Sequence, residues 1–193
     1  KRGLSDEAFA HFVNRRQEAS AQYSEAHRRA IASACAERGI TIASHDDATL
    51  DHVDEAVGFG VRLAEFPTSI EAAKASHKAG MSVLMGAPNV VRGGSHSGNI
   101  AATDLARSGV LDVLSSDYVP FSLIHAPFVL ADEIDDLDLP TAIRLVTATP
   151  ARTVGLDDRG SLQTGKRADL VRVHRESGVP VVRSVWRQGE RVA

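Results

Sequence analysis

Short apolar segments alternate with amphipathic segments through the middle of the chain. Apolar runs at residues 40–44, 61–66, 81–85 and 110–115 are each followed by a stretch whose apolar residues recur every three to four positions. The runs have the length of buried strands, and the recurring spacing is that of helices. Strands that alternate with helices form parallel βαβ units. The pattern therefore predicts an α/β fold with four parallel strands, followed by helices at residues 50–57, 70–78, 100–107 and 123–134.

The two ends of the chain have different patterns. Residues 4–38 keep a helical spacing of apolar residues and lead into a glycine, which is typical of a helix end. Residues 168–174 and 179–187 have the character of strands, and the pair Gln188-Gly189 predicts a hairpin turn into a further short strand at 190–192. We therefore expect a small β element beside the parallel sheet.

Composition narrows the classes of function. The 193 residues are 43% hydrophobic and 24% charged, as in ordinary globular proteins, and the net charge of −3 gives no support to general nucleic-acid binding. The single cysteine, Cys35, excludes an internal disulfide and fits a reducing, cytoplasmic setting. The sequence contains no run of about 18 apolar residues and no secretory leader, so we expect no membrane span and no membrane partner.

Each predicted strand ends in a polar cluster. These clusters are SHDD at residues 44–47, EFPTS at 65–69, GAPNVVRGGSHSGN at 86–99 and SSDY at 115–118. The carboxyl ends of parallel strands line the ligand site both in barrels and in open α/β sheets. We therefore expect the four clusters to converge on one site.

Three side chains in these clusters suit metal binding. His45, Glu65 and Asp117 are an imidazole and two carboxylates at strand ends, and catalytic metals prefer such ligands. A carboxylate at the end of a buried strand is also costly unless it is paired or coordinated. The residues alone leave alternatives open: His45 as a surface residue beside an Asp47 helix cap, Glu65 as the start of a turn, and Asp117 as a helix N-cap.

The glycine-rich segment at residues 86–99 suits an anionic ligand. Backbone N–H groups of its glycines, with an arginine and several polar side chains, could hold phosphate oxygens. The segment is not a Walker loop, and no dinucleotide fingerprint follows a strand, so a flexible loop without a ligand is the alternative. His96 could bind a metal, act as an acid or contact phosphate. The candidate binding residues are Arg92, Gly93, Gly94, Ser95, Ser97 and Asn99.

Longer segments resemble a known family. The segments ASHDDAT, AEFPTSIEAA, LMGAPNVVRGGSHSGNIAATDLA and LDVLSSDYVP resemble the C-terminal half of the diphosphatases that act on alpha-D-ribose 1-methylphosphonate 5-triphosphate in the phosphonate C–P lyase pathway. The later segment TATPARTVGLDDRGSLQTGKRADLVRV is similar to the amidohydrolase superfamily as a whole. The resemblance extends from residue 39 almost to the end of the chain.

The resemblance implies a metal-dependent (β/α)8 barrel of the TIM type with a small β-sandwich. The four predicted strands would then be strands five to eight within a partial barrel at residues 1–155, and residues 156–193 would supply the C-terminal strands of the sandwich. A small open α/β domain, complete in itself, is the alternative. Since half a barrel exposes an apolar flank, we expect a homo-oligomer in which a second copy covers that flank.

The resemblance also implies roles for individual residues. His45 would be the strand-five metal ligand, and Asp117 would bind metal and accept the proton of the attacking water. Glu65 stands where the superfamily usually has a histidine, so it would ligate metal or contact substrate. Asp46 would contact substrate, and His96 would join the catalytic residues. The implied cofactors are two divalent ions of zinc, manganese, nickel or iron in the intact protein.

The implied activity is hydrolysis of the ribose 5-triphosphate to the 5-phosphate and diphosphate, with a phosphorylated sugar phosphonate as the partner. The superfamily's two-metal site uses an HxH pair, and no HxH occurs in this sequence. We therefore expect these 193 residues to be inactive by themselves. The alternatives are another amidohydrolase that breaks a C–N or ester bond, and a half barrel that binds anions without catalysis.

Overall fold

The computed structural model describes residue 3, residues 5–95 and residues 97–193. The chain divides into two compact units, Lys1–Ile42 and Ala43–Ala193. Within the described ranges, every helix is too short or too polar to cross a membrane. The predicted domains at residues 1–155 and 156–193 stay a prediction.

The first unit is built on one long helix, α1, at Asp6–Glu37. Ser5 caps its N-terminus, because the Ser5 hydroxyl accepts a hydrogen bond of 3.2 Å from the Ala8 N–H. The chain leaves the helix at Gly39, whose φ of 63° is easily reached only by glycine. The helix predicted at residues 4–38 is therefore confirmed, with slightly shorter bounds.

The second unit contains a four-stranded parallel sheet, and this confirms the predicted α/β fold. The strands lie side by side in chain order. All four begin later than the predicted runs, and all but β3 are shorter, because the first residues of each run approach the sheet before strand pairing begins. The bounds are β1 Ala43–His45, β2 Leu63–Glu65, β3 Ser82–Gly86 and β4 Val113–Ser115.

Helices follow the strands as predicted, but one helix was not expected. Residues 87–92 form a short helix where the sequence indicated an open loop, with Pro88 in its first turn and Gly93 at its end. Thr49, and not Asp47, is the N-cap of the helix after β1. The bounds are α2 Leu50–Gly58, α3 Ile70–Lys78, α4 Ala87–Arg92, α5 Ala102–Arg107, α6 Ser122–Glu133, α7 Leu139–Arg144 and α8 Ala148–Thr153.

The core lies between one face of the parallel sheet and these helices. Side chains alternate between the two faces of a strand, so Val83 and Met85 face the core together with Leu114 of β4. They pack with Leu105 and Leu130, which are fully buried. Burial of such a side chain contributes about 1.5–3 kcal/mol, so this layer holds the sheet and its strand ends in place.

A three-stranded antiparallel sheet follows, and it confirms the predicted β element. Its strands are β5 Leu170–Glu176, β6 Val179–Arg187 and β7 Glu190–Arg191, in that order. The predicted hairpin turn is present, since Gln188 and Gly189 have φ values of 54° and 86°. Arg175 of β5 forms an ion pair with Asp132 of α6, which ties this sheet to the helical layer.

Candidate active site

A pocket of about 440 Å³ lies at the carboxyl end of the parallel sheet. Residues that follow each of the four strands line it, so the predicted convergence of the polar clusters is confirmed. The candidate substrate residues Ser95, Ser97 and Asn99 are among them. The lining residues are His45 and Asp46 at the end of β1, Phe66 and Pro67 after β2, Met85, Gly86, Pro88, Asn89, Arg92, Ser95, Ser97, Asn99 and Ile100 along and after β3, and Asp117 and Tyr118 after β4.

Three of the four parallel strands are followed, within two residues, by a left-handed residue that is not glycine. These residues are Asp46, Phe66 and Asp117, with φ values of 61°, 52° and 47°. A side chain in this region costs roughly 1–2 kcal/mol, so the surrounding structure must hold it there. Local backbone strain of this kind is typical of functional sites.

The carboxylate of Asp117 lies above the end of the neighbouring strand, β3. A Cβ atom placed on Gly86 would be 3.0 Å from Asp117 Oδ2 and 3.5 Å from Phe66 Cε1. The missing side chain at Gly86 therefore leaves the room that the carboxylate occupies. Asp117 is exposed and does not cap α6, whose N-cap is Phe121. The sequence argument from the cost of burying this carboxylate therefore does not apply.

His45, the last residue of β1, is held on two sides. Its Nδ1 lies 3.1 Å from Asp46 Oδ2, and its ring meets the Phe66 ring edge-on at 5.3 Å. A carboxylate beside Nδ1 favours the tautomer with the proton on that nitrogen, which leaves Nε2 available as a ligand. His45 therefore has the chemistry of an oriented metal ligand at an accessible position.

Glu65 is the last residue of β2 and pairs in register with His45. It is half-buried and does not line the pocket. Within residues 3, 5–95 and 97–193, no three His, Cys, Asp or Glu side chains come close enough together to hold a metal ion. The pocket is thus lined by two possible metal donors, His45 and Asp117. Glu65 lies next to His45 on the neighbouring strand.

Arg92, the last residue of α4, is fixed by two hydrogen bonds. Its Nη1 donates to the Tyr118 hydroxyl at 2.8 Å, and its Nη2 donates to the Gly94 carbonyl at 2.9 Å. The first bond crosses the pocket mouth from the β3 side to the β4 side. Arg92 therefore presents a permanent positive charge next to the segment that carries Asp117.

The glycines after Arg92 serve first to end α4. The N–H groups of Gly93 and Gly94 donate to the carbonyls of Val90 and Asn89 at 3.0 and 2.8 Å. These two N–H groups are therefore already bonded, which corrects the expectation that they are free for phosphate. The candidate anion-binding groups left in this loop are Arg92 and the polar side chains that line the pocket.

Asn89 anchors the far side of the same loop. Its Oδ1 accepts a hydrogen bond of 2.9 Å from the Ala102 N–H at the start of α5. Within the loop, the Ser97 N–H donates to Ser95 Oγ at 3.1 Å. His96, a predicted catalytic residue, lies outside the described residues. The loop is thus held at both ends by α4 and α5.

Sequence reasoning assigned no role to three pocket residues, Phe66, Asn89 and Tyr118. Phe66 packs against His45, Asn89 anchors the loop, and Tyr118 holds Arg92. All three lie within the strand-end clusters, so the rule that predicted the other candidates would have included them. The Arg92 contact of Tyr118 has no local signal, since 26 positions separate the two residues.

The sequence model of the amidohydrolase family matches residues 3–193. The alpha-D-ribose 1-methylphosphonate 5-triphosphate diphosphatase of Escherichia coli (strain K12) is 51% identical over 193 residues, which are 100% of this chain and 51% of that protein. The chain therefore spans about half the length of this curated relative.

Solved structures share the fold. The crystal structure of an amidohydrolase has a TM-score of 0.64 at 17% identity, covering 88% of this chain and 48% of that one. The crystal structure of the ochratoxinase of A. niger has a TM-score of 0.61 at 18% identity, covering 85% of this chain and 44% of that one. At this level of identity the likeness shows the arrangement of strands and helices and nothing about chemistry.

Proposed function

Because the chain belongs to the amidohydrolase family, we propose that the protein hydrolyses alpha-D-ribose 1-methylphosphonate 5-triphosphate to the 5-phosphate and diphosphate, in the cytoplasm. The reaction is the one that the name of the Escherichia coli relative describes. One observation carries the proposal: a single pocket joins Arg92 and its polar loop to His45 and Asp117. A cationic loop opposite an imidazole and a carboxylate suits a phosphoanhydride better than a neutral amide.

The proposal includes a more detailed placement of the fold. Strands β1 to β4 would be strands five to eight of a (β/α)8 barrel, and β5 to β7 would be the C-terminal part of a small β-sandwich. The order of the parallel strands and the pocket at their carboxyl ends support this placement. Other chain segments would then complete the barrel wall and the metal site.

Members of the amidohydrolase superfamily are typically metal-dependent, and the pocket offers fitting donors. His45, through Nε2, and Asp117 would hold a divalent ion, with Glu65 close in the sheet. Such an ion would supply a water of lowered pKa and neutralise charge on the phosphoryl oxygens. Imidazole and carboxylate ligands suit zinc, manganese, nickel and iron alike.

The residues of the pocket have distinct tasks in the proposed reaction. Asp117 accepts the proton of the attacking water, because its exposed carboxylate faces the open pocket. The water oxygen forms the new bond to phosphorus, and the bridging oxygen leaves with the electron pair as part of diphosphate. Arg92 holds these phosphates through charged hydrogen bonds, in the bound substrate as well as during the reaction.

The proposal is tested by diphosphate release from the ribose 5-triphosphate by the full-length protein. We expect Asp117→Asn to lower kcat at least about 100-fold, because loss of a positioned base typically costs that much. Asp54→Asn is the matched control, since Asp54 is an exposed aspartate on α2. Elemental analysis should show less bound metal in His45→Ala than in the wild type.

Two results would count against the proposal. The first is a metal-loaded wild type that releases no diphosphate but hydrolyses an amide or ester, which would favour a different amidohydrolase. The second is an Asp117→Asn variant that keeps the wild-type kcat, which would remove Asp117 from the reaction.

A further inference from the structure

We propose that Tyr118 is a positioning residue that holds the Arg92 guanidinium in place for the diphosphate end of the substrate. The inference rests on the proposed function, because it assigns Arg92 to the leaving phosphates. It adds a residue for which the sequence suggested no role. The ligand that Arg92 would bind is a polyphosphate anion with at least two adjacent phosphoryl groups.

The hydrogen bonds of Arg92 carry the first step of the argument. A guanidinium is planar, so two bonds at different nitrogens, one to Tyr118 and one to Gly94, fix both its position and its plane. Among the described residues, these bonds use two of the five N–H donors of an arginine. The described residues make no hydrogen bond to its other donors, which can meet phosphate oxygens without any rearrangement of the side chain.

The position of Tyr118 in the chain carries the second step. Tyr118 directly follows Asp117, whose left-handed backbone sets the direction in which the next residue leaves the strand end. Both residues line the pocket. The Tyr118 hydroxyl therefore fixes the position of Arg92, on the β3 side of the pocket, relative to Asp117 on the β4 side.

The exposure of Tyr118 carries the third step. The residue is 60% exposed, so its ring contributes little to the core. An exposed hydrogen bond of this kind contributes little to folding. A polar contact with so little structural value is better explained by what it does to Arg92, whose long side chain otherwise samples many rotamers.

The expected effect of removing this hydrogen bond is a less ordered Arg92 side chain. Tyr118→Phe removes only the hydroxyl, so Arg92 must be ordered by the ligand itself. We expect the Kd for inorganic diphosphate to rise about three- to tenfold, which corresponds to the usual net contribution of one hydrogen bond. Because Arg92 contacts the phosphates before and during the reaction, KM should rise by the same factor while kcat stays near the wild-type value.

The experiment is isothermal titration of inorganic diphosphate into the full-length wild type, Tyr118→Phe, Arg92→Ala and the double variant. If Tyr118 acts through Arg92, the double variant should bind no more weakly than Arg92→Ala alone. Tyr23→Phe is the matched control, because Tyr23 is a half-exposed tyrosine on α1 and should bind diphosphate like the wild type. Steady-state kinetics of the same variants give KM and kcat separately.

The outcomes separate this inference from the proposed function. Wild-type diphosphate release together with an unchanged Kd and KM in Tyr118→Phe would overturn the role of Tyr118 alone. Fully additive effects in the double variant, or a fall in kcat without a change in KM, would also overturn it. A wild type that neither binds nor releases diphosphate would overturn both, and the wild-type measurement alone would reveal this.

Discussion

Replacement of Gly86 by alanine tests whether the position of the Asp117 carboxylate matters to the reaction. The backbone at Gly86 has φ −74° and ψ 129°, which alanine adopts without strain. The added methyl group is therefore the whole perturbation. It would lie 3.0 Å from Asp117 Oδ2, which is closer than nearly all real contacts of a Cβ atom.

The size of the expected effect follows from this distance. Ordinary contact begins at 3.4 Å, and the difference between 3.4 and 3.0 Å requires the carboxylate to move by 0.4 Å. A misplacement of about 1 Å can cost about 100-fold in rate, so we expect kcat to fall about tenfold, or about 1.4 kcal/mol in activation free energy. The free energy of unfolding should change by less than about 1 kcal/mol, since no backbone strain is introduced.

The assay is diphosphate release by the full-length protein, with urea unfolding measured on the same preparations. Gly58→Ala is the matched control: Gly58 ends α2, a methyl group there would contact no other part of the structure, and the variant should keep the wild-type kcat. A Gly86→Ala variant with unchanged kcat would refute the argument that Asp117 acts from this position. A large loss of folding stability would show instead that the methyl group disturbs the sheet.

Three further predictions concern stability, each measured by urea unfolding. Asp112→Ala should lower the free energy of unfolding by about 1–3 kcal/mol, because the Asp112 carboxylate accepts a hydrogen bond of 2.9 Å from a backbone N–H of β3. Gly160→Ala should lower it by about 2–4 kcal/mol, because Gly160 has φ 88° and its Cβ would lie 2.9 Å from the Ala151 Cβ. Asp169→Asn should destabilise the protein at neutral pH and much less in acid. The hydrogen bond from the Gln188 N–H holds the pKa of Asp169 below its ordinary 3.8, so the stability it adds is present above that value and is lost as the pH falls through the folded pKa.

Each stability prediction has its own contrary result. An Asp112→Ala variant as stable as the wild type would mean that water replaces the carboxylate at the β3 backbone. A stable Gly160→Ala variant would mean that the turn shifts away from Ala151 without cost. If the difference between Asp169→Asn and the wild type stayed constant from neutral pH into acid, ionisation of Asp169 would not contribute to folding.

The strand and helix pattern predicted the parallel sheet well, but it placed the strand starts too early. The run at residues 110–115, for example, becomes a strand only at Val113. Apolar character extends to residues that approach the sheet, while a strand begins only where backbone groups pair with a neighbour. Hydrophobicity therefore locates a strand without fixing its first residue.

Helix α4 escaped prediction because its sequence disfavours a helix locally. Its six residues include a proline and two valines and lead directly into two glycines. Isolated helices of this length do not form, so the helix depends on tertiary packing. Ala87, Pro88 and Val90 are buried against the core, and that packing decides the conformation.

Convergence of the candidate site could be predicted, because it depends only on strand direction. The contacts within the site could not, because they depend on side chains that meet across the sheet end. The Arg92 to Tyr118 bond is one such contact, and the space above Gly86 is another. The glycine-rich composition also suggested a free N–H at Gly93, but this N–H donates to the Val90 carbonyl at the end of α4.

Charge at the pocket adds an electrostatic reason to expect a divalent cation, given the triphosphate substrate proposed above. Among the described lining residues, Arg92 supplies one permanent positive charge, while Asp46 and Asp117 supply two negative ones. A pocket with this balance would repel a triphosphate, and the overall charge of −3 gives no compensating attraction. A divalent ion held by His45 and Asp117 would reverse the sign next to Arg92. In the proposed reaction, Arg92 would then add its charge to a site that already attracts the phosphates.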